Sequence, residues 1–149
     1  PVFYTQLRVG KNNKEFKLVK FRTMSVNAEQ LTGPVWASVE DSRVTRVGKL
    51  LRRYRIDEMP QVLNIVKGDM SIVGPRPERP ELVEKFSINT PDFAMRLRVR
   101  PGLAGLAQVM GHYSTKPRNK LRYDRLYIKN MSPWLDIRLL VFSFWVVLR

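Results

Sequence analysis

The sequence predicts an α+β fold, mostly helical, with a small N-terminal antiparallel β-hairpin. Aromatic and β-branched runs at residues 2–9 and 15–22 flank a turn from Gly10 to Lys14. From residue 43 onward, apolar residues recur at helical spacing between capping and breaking residues. No strand–GxGxxG–helix unit appears, so a Rossmann sheet is not expected. The length, 149 residues, fits one domain spanning 1–149 around a modest core.

The elements follow in order. Val2 to Val9 is the first strand and Glu15 to Arg22 the second. Alternation slips at Leu18-Val19, which implies either two covered faces or a bulge. The hairpin aims Lys20 or Arg22 out of its end. Thr23 to Asp41 has no steady period and contains Gly33-Pro34, so it reads as a loop with Trp36 as a candidate anchor, or as a plain surface connection. Arg43 to Tyr54 reads as a helix, with Val44, Val47, Leu51 and Tyr54 on one face and five cations around it. Gly48 weakens such a helix by roughly 1 kcal/mol relative to Ala.

Asp57 sits where a helix N-cap belongs, and Pro60 falls in the first turn, where a missing N–H costs little. A helix from Glu58 to Lys67 follows, striped by Met59, Leu63 and Val66 and closed by Gly68 at C′. Met70 to Val73 is a short strand. Gly74-Pro75-Arg76-Pro77 is then extended, because each proline keeps the residue before it out of the α region. Glu81 to Phe86 is a short helix. Thr90-Pro91-Asp92 opens another, to about Leu97. Arg98 to Gly102 suits a type II turn with Pro101 and Gly102 at its centre. Leu103 to Val109 is glycine-spaced and expected to pack closely on another backbone. Gly111 to Thr115 is a loop whose histidine, His112, has no partner cluster and suits packing better than catalysis. Pro117 to Lys129 is a helix with Tyr123, Leu126 and Tyr127 on one side. Ser132-Pro133 starts the last helix, and from Leu139 to Leu148 only Ser143 is polar. That run is shorter than the ~20 apolar residues of a membrane span. It fits a buried core helix, or a helix lying against a membrane or an upstream segment.

Composition narrows the function. The net charge of +14 calls for an anionic partner: nucleic acid, a membrane surface or a phosphorylated substrate. No helix-turn-helix, zinc or RNP pattern supports nucleic acid. The absence of cysteine excludes disulfides and thiolate metal sites. No signal peptide is visible, and the chain begins at Pro1 on a strand-like sequence, which suggests that upstream segments precede it.

The chemistry converges on Arg52 to Pro77, where arginines lead into the adjacent acids Asp57 and Glu58. At a helix start, two neighbouring acids fan out towards one ligand, and the free N–H groups favour negative charge. An ionised carboxylate attacks phosphorus to form an acyl phosphate. Repulsion between two anions is lifted by a divalent cation and by Arg or Lys groups. Mg²⁺ suits a carboxylate plus phosphate oxygens, and Arg52, Arg53, Arg55 and Arg76 stand nearby in sequence. On residues alone the signal is weak, because an Asp-Glu pair is common and more often caps a helix.

A family resemblance adds to this. KFRTM (Lys20–Met24), DSRVTRVGKLLRR (Asp41–Arg53), IDEMPQVLNIVKGDMSIVGPRPE (Ile56–Glu78), RPGLAGLAQV (Arg100–Val109) and YDRLYIKNMSPWLDIRLL (Tyr123–Leu140) resemble the bacterial sugar transferase family, the monotopic polyprenyl-phosphate phosphoglycosyl transferases. The resemblance runs through almost the whole chain, in order. It implies transfer of a sugar phosphate from a nucleotide-diphosphate sugar, usually a UDP-sugar, to undecaprenyl phosphate. That is the first membrane step of capsule, exopolysaccharide, O-antigen or glycoprotein glycan assembly. It implies Asp57 as the nucleophile that releases UMP and Glu58 as a partner that holds Mg²⁺ or orients groups. Lys20, Arg52, Arg76 and Arg100 match its phosphate-binding positions. The implied location is the cytoplasmic face of the bacterial inner membrane, on its anionic leaflet. Nothing in this sequence corresponds to the family's N-terminal re-entrant membrane helix, so the chain looks like the catalytic portion without that anchor. A non-catalytic basic scaffold on a membrane surface, or a nucleic-acid module, are the competing readings.

Overall fold

The computed structural model describes residues 1–26, 28, 41–90, 92–111 and 116–148, with the side chains at 147 and 148 excepted. Trp36, Pro91 and His112 lie outside the described residues. Strands β1 (Phe3–Val9) and β2 (Glu15–Phe21) pair antiparallel from Phe3↔Phe21 to Val9↔Glu15 without a break. Of the two alternatives for the lapse at Leu18-Val19, the bulge is therefore absent. Val19 to Phe21 are half-buried on both sides, which accounts for the lapse in alternation. The turn between the strands is a short 3₁₀ segment in which Asn12 and Asn13 take positive φ, a region asparagine tolerates better than most residues.

Helix α1 (Arg46–Arg53) begins later than its periodicity implies. Thr45 is its N-cap, with Oγ1 accepting from Gly48 N at 2.9 Å, and Val44 instead bridges to Met24. Its apolar stripe faces outward: Val47 is 67% exposed, and Tyr54, just past its end, is exposed too. Only Gly48 is buried in α1, because the chain at Thr23 passes directly against it.

Asp57 does not cap a helix. Arg55 takes a left-handed conformation (φ 53°, ψ 20°), and Ile56–Gln61 forms a 3₁₀ segment carrying Asp57 and Glu58 in its first turn. Only then does α2 (Val62–Lys67) begin, ending at Gly68 with φ 87°, as a glycine C-terminus requires. The Met59, Leu63 and Val66 stripe is exposed, Val66 at 83%.

Strand β3 (Ser71–Val73) pairs in parallel with β4 (Gly102–Ala104), a second small ladder that the sequence reading did not anticipate. Glycines make it possible. A Cβ on Gly102 would stand 2.0 Å from Gly74 N, and one on Gly105 would stand 2.3 Å from Gly74 O. The close approach expected after residue 102 is thus real. The type II turn is not, because Gly102 is a strand residue without positive φ.

Helix α3 (Pro80–Asn89) is longer than expected. The segment expected to open a helix at Thr90-Pro91-Asp92 is instead 3₁₀ over Phe93–Arg98, preceded by Asp92 in a left-handed conformation with no capping side chain. Helices α4 (Leu106–Met110), α5 (Pro117–Lys129) and α6 (Pro133–Leu148) complete the chain. Leu121, Asp124 and Tyr127 form the buried face of α5, while Leu126 is exposed.

The interior is divided. Val9, Val83, Phe86, Phe93 and Leu121 form one cluster, and Phe16, Leu18 and Met70 a second behind β2. Val73, Tyr127 and Leu139 form a third under α6. Leu139 is the one fully buried apolar residue of α6 among its described side chains; Trp134, Phe142, Phe144 and Trp145 are exposed.

Candidate active site

Three pieces of backbone bring the site together: the end of β2, the 3₁₀ segment 56–61 and the extended loop after β3. Asn64 sets the first against the second. Its buried amide accepts from Val19 N at 3.0 Å and donates to Lys17 O at 2.8 Å, fastening α2 to the edge of β2. Lys20 therefore stands over the acid pair. Arg76 reaches the pair from the other side.

Glu58 is the hub. Its Oε1 lies 2.5 Å from Arg76 Nη2 and 3.6 Å from Lys20 Nζ, and its Oε2 lies 3.4 Å from Arg76 Nη1. Burial would raise its pKa, but Arg76 and then Lys20 overcome that and hold it at about 2. Lys20 competes with Arg76 for the same oxygen. Burial and the Arg76 charge push its ammonium down to about 8, against an opposing pull from Glu58. Glu58 is thus fixed and ionised, and Lys20 is a cation held under electrostatic tension.

Asp57 differs. It is half-buried, and its carboxylate makes no hydrogen bond or ion pair among the described residues. Burial, then the neighbouring Glu58 charge, raise its pKa, while Lys20, Arg52 and Arg76 act in the opposite direction. A carboxylate that is raised and uncommitted, yet surrounded by cations, keeps its lone pairs for a reaction partner. The left-handed Arg55 turns the chain sharply just before the pair, and Glu58 N donates to Arg55 O at 3.2 Å. A non-glycine residue costs about 1–2 kcal/mol in that conformation.

Of the sequence-predicted residues, the structure unites Lys20, Asp57, Glu58 and Arg76. Arg52 acts on Asp57 through its charge while its Nε donates to Thr23 Oγ1 at 2.9 Å. Arg100 is not brought in by its side chain. It is exposed, its backbone oxygen lies against Gly74, and its charge is not among those that shift either acid.

Sequence reasoning missed the layer beneath Arg76. Arg8, Arg96, Lys120 and Asp124 gather there around Glu78. One signal was available. Pro75 and Pro77 lack N–H groups, so the loop exposes carbonyls that demand donors from elsewhere.

For a divalent cation the donor set is small. Among the described residues, no group of three or more His, Asp or Glu side chains clusters. Mg²⁺ is commonly held by one or two carboxylates plus substrate phosphate oxygens. Asp57 fits that role. Glu58 is already engaged by Arg76 and Lys20.

The model of the bacterial sugar transferase family matches residues 1–149. The chain belongs to the bacterial sugar transferase family. It is 49% identical over 146 residues to the UDP-N-acetylgalactosamine-undecaprenyl-phosphate N-acetylgalactosaminephosphotransferase of Aeromonas hydrophila, covering 96% of this chain and 34% of that protein. It is 57% identical over 97 residues to a putative undecaprenyl-phosphate N-acetylgalactosaminyl 1-phosphate transferase of Bacillus subtilis, 65% of this chain and 54% of that one. It is 39% identical over 148 residues to the UDP-glucose:undecaprenyl-phosphate glucose-1-phosphate transferase of Xanthomonas campestris, 96% of this chain and 31% of that one. The chain thus spans about a third to a half of the length of these relatives.

Proposed function

We propose that this chain carries the catalytic site of a phosphoglycosyl transferase that moves a sugar 1-phosphate from a UDP-sugar to undecaprenyl phosphate. The observation that carries the reading is the contrast between the two acids, Glu58 locked by Arg76 and Lys20 and Asp57 left uncommitted beside it. The names of the relatives supply the substrate classes.

Asp57 attacks the phosphorus that bears the sugar. A carboxylate O–P bond forms, the bond between the two phosphates breaks, and UMP leaves with the electron pair. An oxygen of undecaprenyl phosphate then attacks the same phosphorus. The acyl phosphate breaks, Asp57 returns as a carboxylate, and the lipid carries a sugar diphosphate. Lys20, Arg52 and Arg76 stabilise the negative charge that builds on the transferring group. Glu58 holds Arg76 and Lys20 in place for that task. Mg²⁺, held by Asp57 and the substrate phosphates, would neutralise charge on the diphosphate and on departing UMP.

The same reading places the protein on the cytoplasmic face of the inner membrane. Exposed Val47, Leu50, Ile56, Met59 and Leu63 alternate with Arg46, Lys49, Arg53 and Arg55, which suits an anionic, partly apolar surface. No helix among the described residues is long and apolar enough to cross a membrane.

The test is a single-turnover experiment on full-length protein with UDP-sugars and no acceptor. A phosphosugar adduct on Asp57 and stoichiometric UMP are expected. Asp57→Asn should lower turnover by about 10³-fold or more, the scale on which lost covalent nucleophiles act. Normal turnover in Asp57→Asn would end the assignment.

A further inference from the structure

The loop that presents Arg76 is gripped at consecutive carbonyls by different parts of the chain. Pro75 O accepts from Gly102 N at 2.9 Å and Glu78 O from Val9 N at 3.0 Å. Between them, Arg76 O accepts from Arg96 Nη2 at 2.8 Å and Pro77 O from Arg8 Nη1 at 2.9 Å. Two guanidinium groups therefore perform a task that backbone N–H groups usually perform. The Arg96 side chain is 3% exposed, with Asp124 Oδ2 at 3.0 Å and Glu78 Oε1 at 3.6 Å. Its guanidinium also lies over the Phe93 ring, 4.9 Å from the centroid. Lys120 Nζ, 3.1 Å from Glu78 Oε1, closes the cluster.

Stability alone is a poor explanation for this arrangement. Burying several charges costs more than an apolar core of the same volume in many proteins. Arg96 Nη1 and Asp124 Oδ2 are buried without an aligned hydrogen bond, a further cost. What the cluster achieves is geometric. It fixes the backbone of one residue whose side chain points the other way, onto Glu58.

We propose that Arg96, anchored by Asp124 and Glu78, is a positioning residue that sets where the Arg76 guanidinium meets Glu58 and the donor phosphate. The phosphate part rests on the proposed transferase activity; the Arg76–Glu58 part does not. Lysine at position 96 keeps the charge but lacks the planar fork that reaches a carbonyl and a carboxylate together. Asp124→Asn keeps the shape and removes the anchoring charge.

The experiment compares Arg96→Lys, Asp124→Asn, Arg76→Ala and the two double variants with Arg76→Ala, all in the full-length protein and after thermal melts confirm folding. Each of the two positioning variants should lower turnover by roughly fivefold or more alone, and by less than about twofold on top of Arg76→Ala, the non-additivity of residues acting as a unit. Equal losses with and without Arg76 would mean a merely structural role and overturn the inference. The second readout needs no activity. In protein labelled with ¹⁵N-arginine, the Arg76 guanidinium should rotate slowly in wild type and freely in Arg96→Lys or Asp124→Asn. Unchanged slow rotation in a folded variant overturns the inference too. A wild type without UDP-sugar turnover would defeat the transferase reading and leave this arm to decide.

Discussion

Lys20 is where charge, burial and function meet most tightly. Burial, then Arg76, lower its pKa from 10.5 to about 8. Between those values the unfolded chain binds more protons than the folded one, so this group makes stability rise with pH across that window. Its value to a phosphate moves the other way, because the ammonium is lost. Turnover should therefore fall with an apparent pKa near 8 while melting temperature does not fall with it, and Lys20→Arg should carry the fall to higher pH. A pH–rate profile beside thermal melts checks this; an unmoved alkaline limb in Lys20→Arg would clear Lys20 of the role. The acids and Arg76 were legible in the sequence because they share one stretch. Arg96 was not. Its partners are the Arg76 carbonyl, Glu78 and Asp124, and the prolines around Arg76 signal that carbonyls need donors without saying which residue supplies them.

At the scale of elements, helical period located α1, α3, α5 and α6, read the 3₁₀ segments 56–61 and 93–98 as helix, and missed α4. The stripe on segment 56–67 is exposed, and the one on α1 is exposed at Val47 and Tyr54 and half-buried at Val44 and Leu51. Periodicity identifies a face, not the medium that covers it. The N-cap at Asp57 failed for a related reason. Pro60 permits a helix start, yet the left-handed Arg55 tightens the chain into 3₁₀ geometry first. Gly48 shows how position reverses propensity. On a free helix, Ala there would gain roughly 1 kcal/mol. In this fold its Cβ would fall 2.1 Å from Thr23 O and 2.8 Å from the Thr23 carbonyl carbon. Gly48→Ala should cost about 1–3 kcal/mol, as overpacked sites do. Calorimetry should record a melting point lower by about 2–4 °C per kcal/mol. Turnover should drop with it, since displacing Thr23 displaces the hydroxyl that anchors Arg52. A variant that melts higher would show that α1 and Thr23 are farther apart.

For the whole molecule, the governing fact is a +14 chain with apolar side chains on its outside. Vesicle sedimentation is the direct measurement. Full-length protein washed free of detergent should bind vesicles containing anionic lipid more strongly than neutral ones, and salt should weaken the difference. Reversing Arg46 and Lys49 to Glu, both outside the acid site, should reduce anionic-vesicle affinity by about 30-fold or more, since roughly 1 kcal/mol goes with each basic residue before the new acids add repulsion. Equal binding to neutral and anionic vesicles would remove charge from the account. The seam where Gly74, Gly102 and Gly105 touch backbone to backbone carries a practical lesson for hybrid enzymes. A splice between homologues that falls within 78–100 would ask one parent's glycine to nest against the other parent's carbonyl, across a joint made mainly of backbone that has little room to absorb a mismatch. Exchanging 71–108 as a single cassette keeps β3, β4 and Gln108 together and leaves that joint as its own parent made it.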